Sequence, residues 1–295
     1  MERLPSRGPH VNPDRRPMKL EPSADYVLGG TETELNRLRA QAEEYESSAR
    51  WLLDTIGIRP GMRVLDVGCG PIGILGLLSE KVGPDGEVVG LEREPRFVEL
   101  ARGEVARQGL QNVTIVEADA LNSGLDSDSF DLVHERLVMV NVPERPKLIS
   151  EMFRVTVPGG AIALEDIDNV SWICEPQHDS WVALLSVFHD AFRAAGGDPF
   201  IGRRLPSLLR GSGALEVRFR VQAEMPEPGQ YRRTHLLSLL DSIREKVITK
   251  GLMDARTLDA HRNALLEHLA DPNTVVVDKL LVQCWGRKPG TRQER

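Results

Sequence analysis

Residues 64–73 read Val64-Leu65-Asp66-Val67-Gly68-Cys69-Gly70-Pro71-Ile72-Gly73. A short apolar run broken by one acid leads into three glycines spaced G-x-G-x-x-G, the pattern of a buried strand that enters a tight turn and opens a helix. Glycine suits such a turn because, without a Cβ, the backbone N–H groups at the helix start can approach a ligand closely. Taken literally, Gly68, Gly70 and Gly73 spell the fingerprint usually assigned to dinucleotides. Asp66 argues against that occupant: two residues before the first glycine, its carboxylate would meet a pyrophosphate at short range and repel it. A cationic ligand end suits the position better.

Outward from this turn, short β-branched or apolar runs alternate with helical stretches. Residues 63–67, 87–91, 114–117, 131–134 and 160–165 read as strands, with helices starting near Gly73, Pro95 and Arg145. That alternation predicts a parallel sheet covered by helices on both faces, with right-handed crossovers and ligands at the carboxyl ends of the strands. Upstream, Leu35, Leu38, Ala42, Tyr45, Ala49 and Leu52 recur at helical spacing from Thr31 to about Gly57. The proline-studded opening, Pro5 to Pro22, reads as a mobile arm that cannot bury enough surface to offset its ordering entropy. Beyond Asp168 come a helix over about 180–195, a Gly/Pro turn at 196–199 and a short apolar stretch at 205–209; 215–221 and 275–285 read as closing strands, with helical material between Thr234 and Leu269. The expected organisation is an arm at 1–23, a helical cap at 24–58, a ligand-binding core at 59–170, a helical lid or substrate insertion at 171–213, the remaining sheet and helices at 214–288, and a tail at 289–295.

Composition narrows the function classes. A chain of 295 residues with 41% apolar content can bury a substantial core, and a net charge of −7 lacks the positive field that a nucleic-acid or acidic-membrane surface would need. Cys69, Cys174 and Cys284 are scattered, without zinc-ligand or disulfide-framework spacing, so no metal is expected. No apolar run approaches the ~20 residues that span a bilayer, and the opening lacks the apolar middle of a signal peptide. The expectation is a cytoplasmic protein with a small-molecule partner, neither nucleic acid nor membrane, with room for a homodimer.

The strand, the Asp66-Val67-Gly68-Cys69-Gly70 core and the segments after it resemble the class I S-adenosylmethionine (SAM)-dependent methyltransferases, of the ubiquinone/menaquinone-biosynthesis type and the small-molecule enzymes of secondary metabolism. Glu92, ending the run 88–92, stands where that family places an acid for the ribose hydroxyls; Asp119-Ala120 stands at the adenine position; residues 130–136 match the fourth strand and Val157-Pro158-Gly159-Gly160 the turn into the fifth. The resemblance covers about residues 26–215 and implies a Rossmann-like α/β fold: a seven-stranded, mostly parallel sheet with helices on both faces and a helical lid. It implies SAM as cofactor, with Tyr26, Asp66, Gly68, Cys69, Gly70, Glu92, Arg93, Asp119, Ala120 and Glu135 as its contacts; Cys69 is otherwise read as a small filler, and the Glu135 side chain as one that can serve the fold or the substrate instead.

Methyl transfer from a sulfonium is an in-line displacement that needs an aligned nucleophile and an acceptor for its proton. Asp166 and Asp168, two residues apart at the end of the fifth strand, share one face and are the expected catalytic pair, whether for binding a substrate ammonium or for taking a proton. Trp172, Arg136 and Arg203 are the candidate substrate contacts, with packing or turn-holding as the alternative for each. The acidic pair favours nitrogen over oxygen as the methyl acceptor. A SAM-binding regulator or non-methylating enzyme on the same fold, and a nicotinamide-dependent oxidoreductase, are the competing readings.

Overall fold

The computed structural model describes residues 32–71 and 73–290. Tyr26 and the expected arm at 1–23 lie outside them. The helix expected near the start is a single element, α1 (Glu32–Ile56), whose residues Tyr45, Ser48, Ala49, Leu52, Leu53 and Ile56 form one buried stripe at helical spacing. Burial of Leu52 and Leu53 contributes on the order of 2 kcal/mol each.

Five strands and three helices follow: β1 (Arg63–Val67), α2 (Leu75–Val82), β2 (Glu87–Glu92), α3 (Pro95–Gln108), β3 (Val113–Glu117), β4 (Phe130–Arg136), α4 (Arg145–Val155) and β5 (Thr156–Asp168). Proline sits in the first turn of α3 and of α4, where its missing N–H costs no hydrogen bond, which is why both helices begin where the sequence indicates. The rest of the chain forms β6 (Ile173–Glu175), α5 (Asp179–Ala194), α6 (Leu205–Gly211), β7 (Leu215–Gln222), α7 (His235–Thr249), α8 (Ala255–Ala270), β8 (Val275–Val277) and β9 (Leu280–Arg287).

Seven strands form one sheet in the order β3-β2-β1-β4-β5-β9-β7, parallel from β3 to β5, with β9 antiparallel to both its neighbours. This is the Rossmann-like, mostly parallel sheet expected from the sequence. Its near-continuous burial, four of five residues in β1 and five of six in β2, follows from helices on both faces. One face, through Val64, Val88, Leu132, Ala161 and Ala163, packs on α1, α2 and α3. The other, through Leu65, Val89, Val133, Ile162 and Leu164, packs on α4, α5 and the later helices.

The reading of 275–285 as one strand needs correction. β8 pairs with β6 in a separate two-stranded ribbon, and only β9 enters the main sheet. The break falls at Asp278-Lys279, both buried, where the Asp278 N–H donates to the Glu224 carbonyl instead of continuing a ladder. Val275-Val276-Val277 suits either sheet, so local propensity cannot place the break.

Arg233 ties this region together. Its buried guanidinium donates to the carbonyls of Leu269 (2.7 Å), Asp271 (2.7 Å) and Thr274 (2.7 Å), joining the start of α7, the end of α8 and the approach to β8. Arg233→Met removes three hydrogen bonds at once, leaving the Leu269 and Thr274 carbonyls without this donor, and is expected to destabilise the protein by roughly 3 kcal/mol. Urea unfolding followed by circular dichroism checks this; a midpoint equal to that of the parent would show that those carbonyls find other partners.

Candidate active site

The glycine turn lies at the carboxyl end of β1. Gly68 (φ +63°) and Gly70 (φ +61°) both occupy the left-handed region. Around them the space differs: a Cβ on Gly68 would meet Val138 Cγ2 at 2.5 Å, whereas one on Gly70 would meet nothing within 4 Å. The turn is therefore pressed on one side by the loop after β4 and open on the other. Glu92, at the end of β2, reaches across: its Oε2 accepts from the Gly70 N–H at 3.1 Å, and its Oε1 from the N–H groups of Arg93 (2.8 Å) and Glu94 (2.9 Å). Burial raises the Glu92 pKa, and these three donors offset only part of the rise. Asp119, half-buried just beyond the end of β3, accepts from the Leu121 N–H at 2.9 Å and so forms an Asx turn at Ala120. Cys69 is buried, and its N–H donates to the Leu91 carbonyl.

Register decides which acids meet. Asp66 lies opposite His134, and Glu165 opposite Gln283, so Asp66, His134, Glu165 and Gln283 form a row across β1, β4, β5 and β9 on the α1 side of the sheet. His134 Nδ1 is 2.8 Å from Asp66 Oδ1, and its Nε2 faces Glu165 Oε1 at 3.5 Å, an ion-pair separation. Gln283 donates through Nε2 to Glu165 Oε2 and to the Ser48 carbonyl of α1. Burial by itself would depress the His134 pKa, but the two carboxylates outweigh it and hold it at about 9, so the imidazole is a cation at neutral pH. Glu165 responds in the opposite sense: burial pushes its carboxyl up, yet His134, Arg136 and Gln283 bring it below the usual carboxylate range. With Oδ1 taken by His134, Asp66 turns Oδ2 toward the glycine turn, 3.5 Å from where a Cβ on Gly73 would sit. Nothing along the chain says that His134 and Gln283 face Asp66 and Glu165; the sequence shows only that His134 stands with Glu135 and Arg136 at one strand end, and gives no signal for Gln283.

Asp166 and Asp168 project from the other side of β5, as strand alternation requires. They share a face as expected, but not the face that carries Asp66, and both are occupied. Asp166 accepts from the N–H groups of Val140 (2.8 Å) and Ile167 (2.7 Å). Asp168 takes a two-pronged bond from the Arg203 guanidinium at 2.6 Å through each oxygen, and caps the turn after β5 through Val170 N–H. Their oxygens are engaged by loop backbone and by Arg203.

Glu135 works beside Asp166. Its Oε2 accepts from the N–H groups of Val138 (3.0 Å) and Met139 (3.3 Å), which pins the loop whose Val138 side chain presses on Gly68. Burial raises the Glu135 carboxyl to about 7, and burial followed by the Glu135 charge raises Asp166 well above the usual range. Arg136 lies over the Tyr45 ring of α1 at 5.9 Å, with Nη1 buried and without a hydrogen-bond partner. Trp172 is buried among Trp181, Phe188 and His235. Among the described residues no cluster of three or more His, Cys, Asp or Glu could hold a metal ion, and no helix is long and apolar enough to cross a membrane.

The methyltransferase-domain family matches residues 58–193, from the approach to β1 into α5. This stretch is thus similar to methyltransferase domains. Demethylmenaquinone methyltransferase from Listeria monocytogenes is 30% identical over 147 residues, covering 49% of this chain and 60% of that protein; nocamycin O-methyltransferase from Saccharothrix syringae is 34% identical over 122 residues, covering 41% and 44%. The chain thus spans about 60% of the length of the first of these relatives. Among solved structures, phosphoethanolamine N-methyltransferase 2 from Haemonchus contortus superposes with a TM-score of 0.57 at 16% identity, covering 87% of this chain and 58% of that one. The YcgJ protein from Bacillus subtilis gives 0.53 at 18%, covering 82% and 98%; at such identities these show the shared fold alone. The polar row joins this stretch to segments outside it, since Gln283 of β9 links Glu165 to the Ser48 carbonyl of α1.

The His134 charge sets a pH dependence. Because folding raises the imidazole pKa from 6.5 to about 9, its contribution is fully present below about pH 6.5 and is lost as pH rises through about 9. The urea midpoint of the parent is expected to fall between pH 7 and 9.5 relative to that of His134→Gln. Parallel profiles for the two proteins would mean that the imidazole is not charged in the fold.

Proposed function

We propose that the chain is an enzyme that transfers a methyl group from SAM to an oxygen or nitrogen of a small-molecule metabolite. The observation that carries this reading is the second oxygen of Asp66, Oδ2, turned toward a glycine turn that is open beside Gly70. A carboxylate aimed into the turn repels a pyrophosphate and attracts an ammonium or sulfonium. That geometry favours SAM over a dinucleotide in a turn whose glycine spacing fits both.

The residues present fit the cofactor. Asp66 and the backbone of Gly68, Cys69 and Gly70 would hold its charged end, Glu92 and the adjacent Arg93 backbone its ribose, and Asp119 with Ala120 its adenine. When bound, SAM supplies an electrophilic methyl carbon on a sulfonium. Glu135 contributes by position: through Val138 and Met139 it sets the loop that bounds the turn. His134, held as a cation between two carboxylates, fixes Asp66 and is not available as a base at neutral pH. Asp166 and Asp168 shape the rim by anchoring Val140 and Arg203, and much of the rate enhancement comes from alignment of acceptor and methyl. With those acids engaged, the argument for a nitrogen acceptor loses its basis. The similarity to nocamycin O-methyltransferase supports an oxygen acceptor and a place in secondary metabolism.

Isothermal titration with SAM, S-adenosylhomocysteine and NAD tests the assignment. Binding of the two adenosyl compounds and not of NAD is expected, with Asp66→Asn and Glu92→Gln each weakening it by roughly tenfold or more, as loss of a charge-assisted contact implies. Parental affinity in both variants, or binding of NAD alone, would overturn the reading.

A further inference from the structure

The break between β8 and β9 brings Lys279 to the rim where the parallel strands end, because Leu280 at the start of β9 pairs with Asp168 at the end of β5. Lys279 is only 4% exposed there. Its Nζ lies 2.7 Å from His235 Nδ1 and 3.3 Å from Asp278 Oδ1, and 4.6 Å from the centroid of the Trp172 ring. An ammonium can only donate, so His235 Nδ1 accepts from it. Burial first, then the Lys279 charge, holds the His235 pKa far below its ordinary value, so the ring is neutral and carries its one proton on Nε2.

That Nε2–H is a buried donor with no hydrogen-bond partner among the described residues, in a residue 2% exposed. The indole Nε1–H of Trp172, also 2% exposed and edge-on to His235 with 6.0 Å between ring centroids, is in the same condition. An unsatisfied buried donor costs ~1–3 kcal/mol, and a fold that keeps two in one cluster has them where an acceptor can arrive. Lys279 is the charge nearest these donors: burial lowers its pKa and Asp278 beside it acts the other way. Among the described residues the acids around it, Asp278, Glu44 and Glu224, are engaged by Lys279 or Arg232.

We propose that Lys279, His235 and Trp172 form a subsite for an oxyanion of the methyl acceptor, a carboxylate or phosphate group, which accepts the two ring N–H bonds beside the ammonium. The subsite would make the preferred substrate acidic, held at the rim beside the glycine turn; this identification of the occupant as the acceptor rests on the methyl-transfer reading above. Arg232 supports the subsite from behind by pairing Asp278 with Glu44 of α1, which limits how far Asp278 neutralises Lys279.

The test uses the full chain, titrated calorimetrically with benzoate and with phenyl phosphate, with and without saturating S-adenosylhomocysteine. In parallel, the His235 Nε2 resonance is followed in protein labelled with 15N-histidine. At least one anion is expected to bind at roughly millimolar concentration or tighter and to shift that resonance. Lys279→Met, which replaces a buried charge by an apolar chain of similar length, is expected to weaken anion binding at least tenfold while leaving S-adenosylhomocysteine affinity unchanged. Trp172→Phe keeps the packing and removes only the N–H, and is expected to weaken binding about threefold to tenfold; it decides the matter should Lys279→Met fold poorly. Failure of both anions to bind, or parental affinity in Trp172→Phe, would overturn the subsite. Loss of S-adenosylhomocysteine binding with anion binding intact would count against the methyl-transfer reading alone.

Discussion

The buried row Asp66–His134–Glu165–Gln283 is the constraint on which the rest of the site depends. Ion pairs removed from water gain from each other only if nearly every oxygen and proton finds a partner, since removal of one partner leaves an enclosed charge costing several kcal/mol. Four strands must therefore keep their register for the row to exist, and a slip of one residue in β4 would place His134 on the opposite face of the sheet. The row also reaches α1, through the Gln283 bond to the Ser48 carbonyl, so the position of the covering helix is tied to the charge state of the sheet beneath it.

The two faces of β5 then do different work. Glu165 looks toward α1 and completes the row; Asp166 and Asp168 look the other way and fasten the loops that frame the rim. Acids on both sides of one strand end look alike in sequence, yet one joins a charge network and the others organise backbone. This separation turns Asp166 and Asp168 away from the α1 side, where Lys279, Arg232 and Arg136 lie among the acids Asp278, Glu44 and Glu165. Glu135 joins the two sides: from the face of Asp166 it positions Val138, which presses on the glycine turn.

Such a design treats stability and function as one problem. The orphaned donors of His235 and Trp172 destabilise the protein taken alone, and the nearby aromatic packing of Trp172 against Trp181 and Phe188 offsets that cost. Arg233, with its three short bonds to carbonyls, holds in place the segment that delivers Lys279. A site assembled from α1, β5, α7 and β9 cannot form before the sheet closes.

What the sequence by itself determined is the part that depends on neighbours along the chain. The apolar run in 63–67, the glycines at 68 and 70, Pro95 and Pro146 at helix starts and the acid ending β2 are all local signals, and they located the βα units, the glycine turn and Glu92 to within a residue or two. The glycine turn and the acids after β2 and β3 were legible for that reason, since they come from consecutive strand ends. Only the tertiary structure decided which strands adjoin, and hence that His134 meets Asp66 68 residues away while Gln283 meets Glu165 118 residues away. It alone decided that the valine run at 275–277 leaves the main sheet, because a β-branched run satisfies the ladder of either sheet and the choice rests on what β6 offers. Burial of Lys279 follows from that choice, and no local pattern distinguishes it from a solvated lysine in a turn, since the energy that places it is a sum over contacts from distant segments.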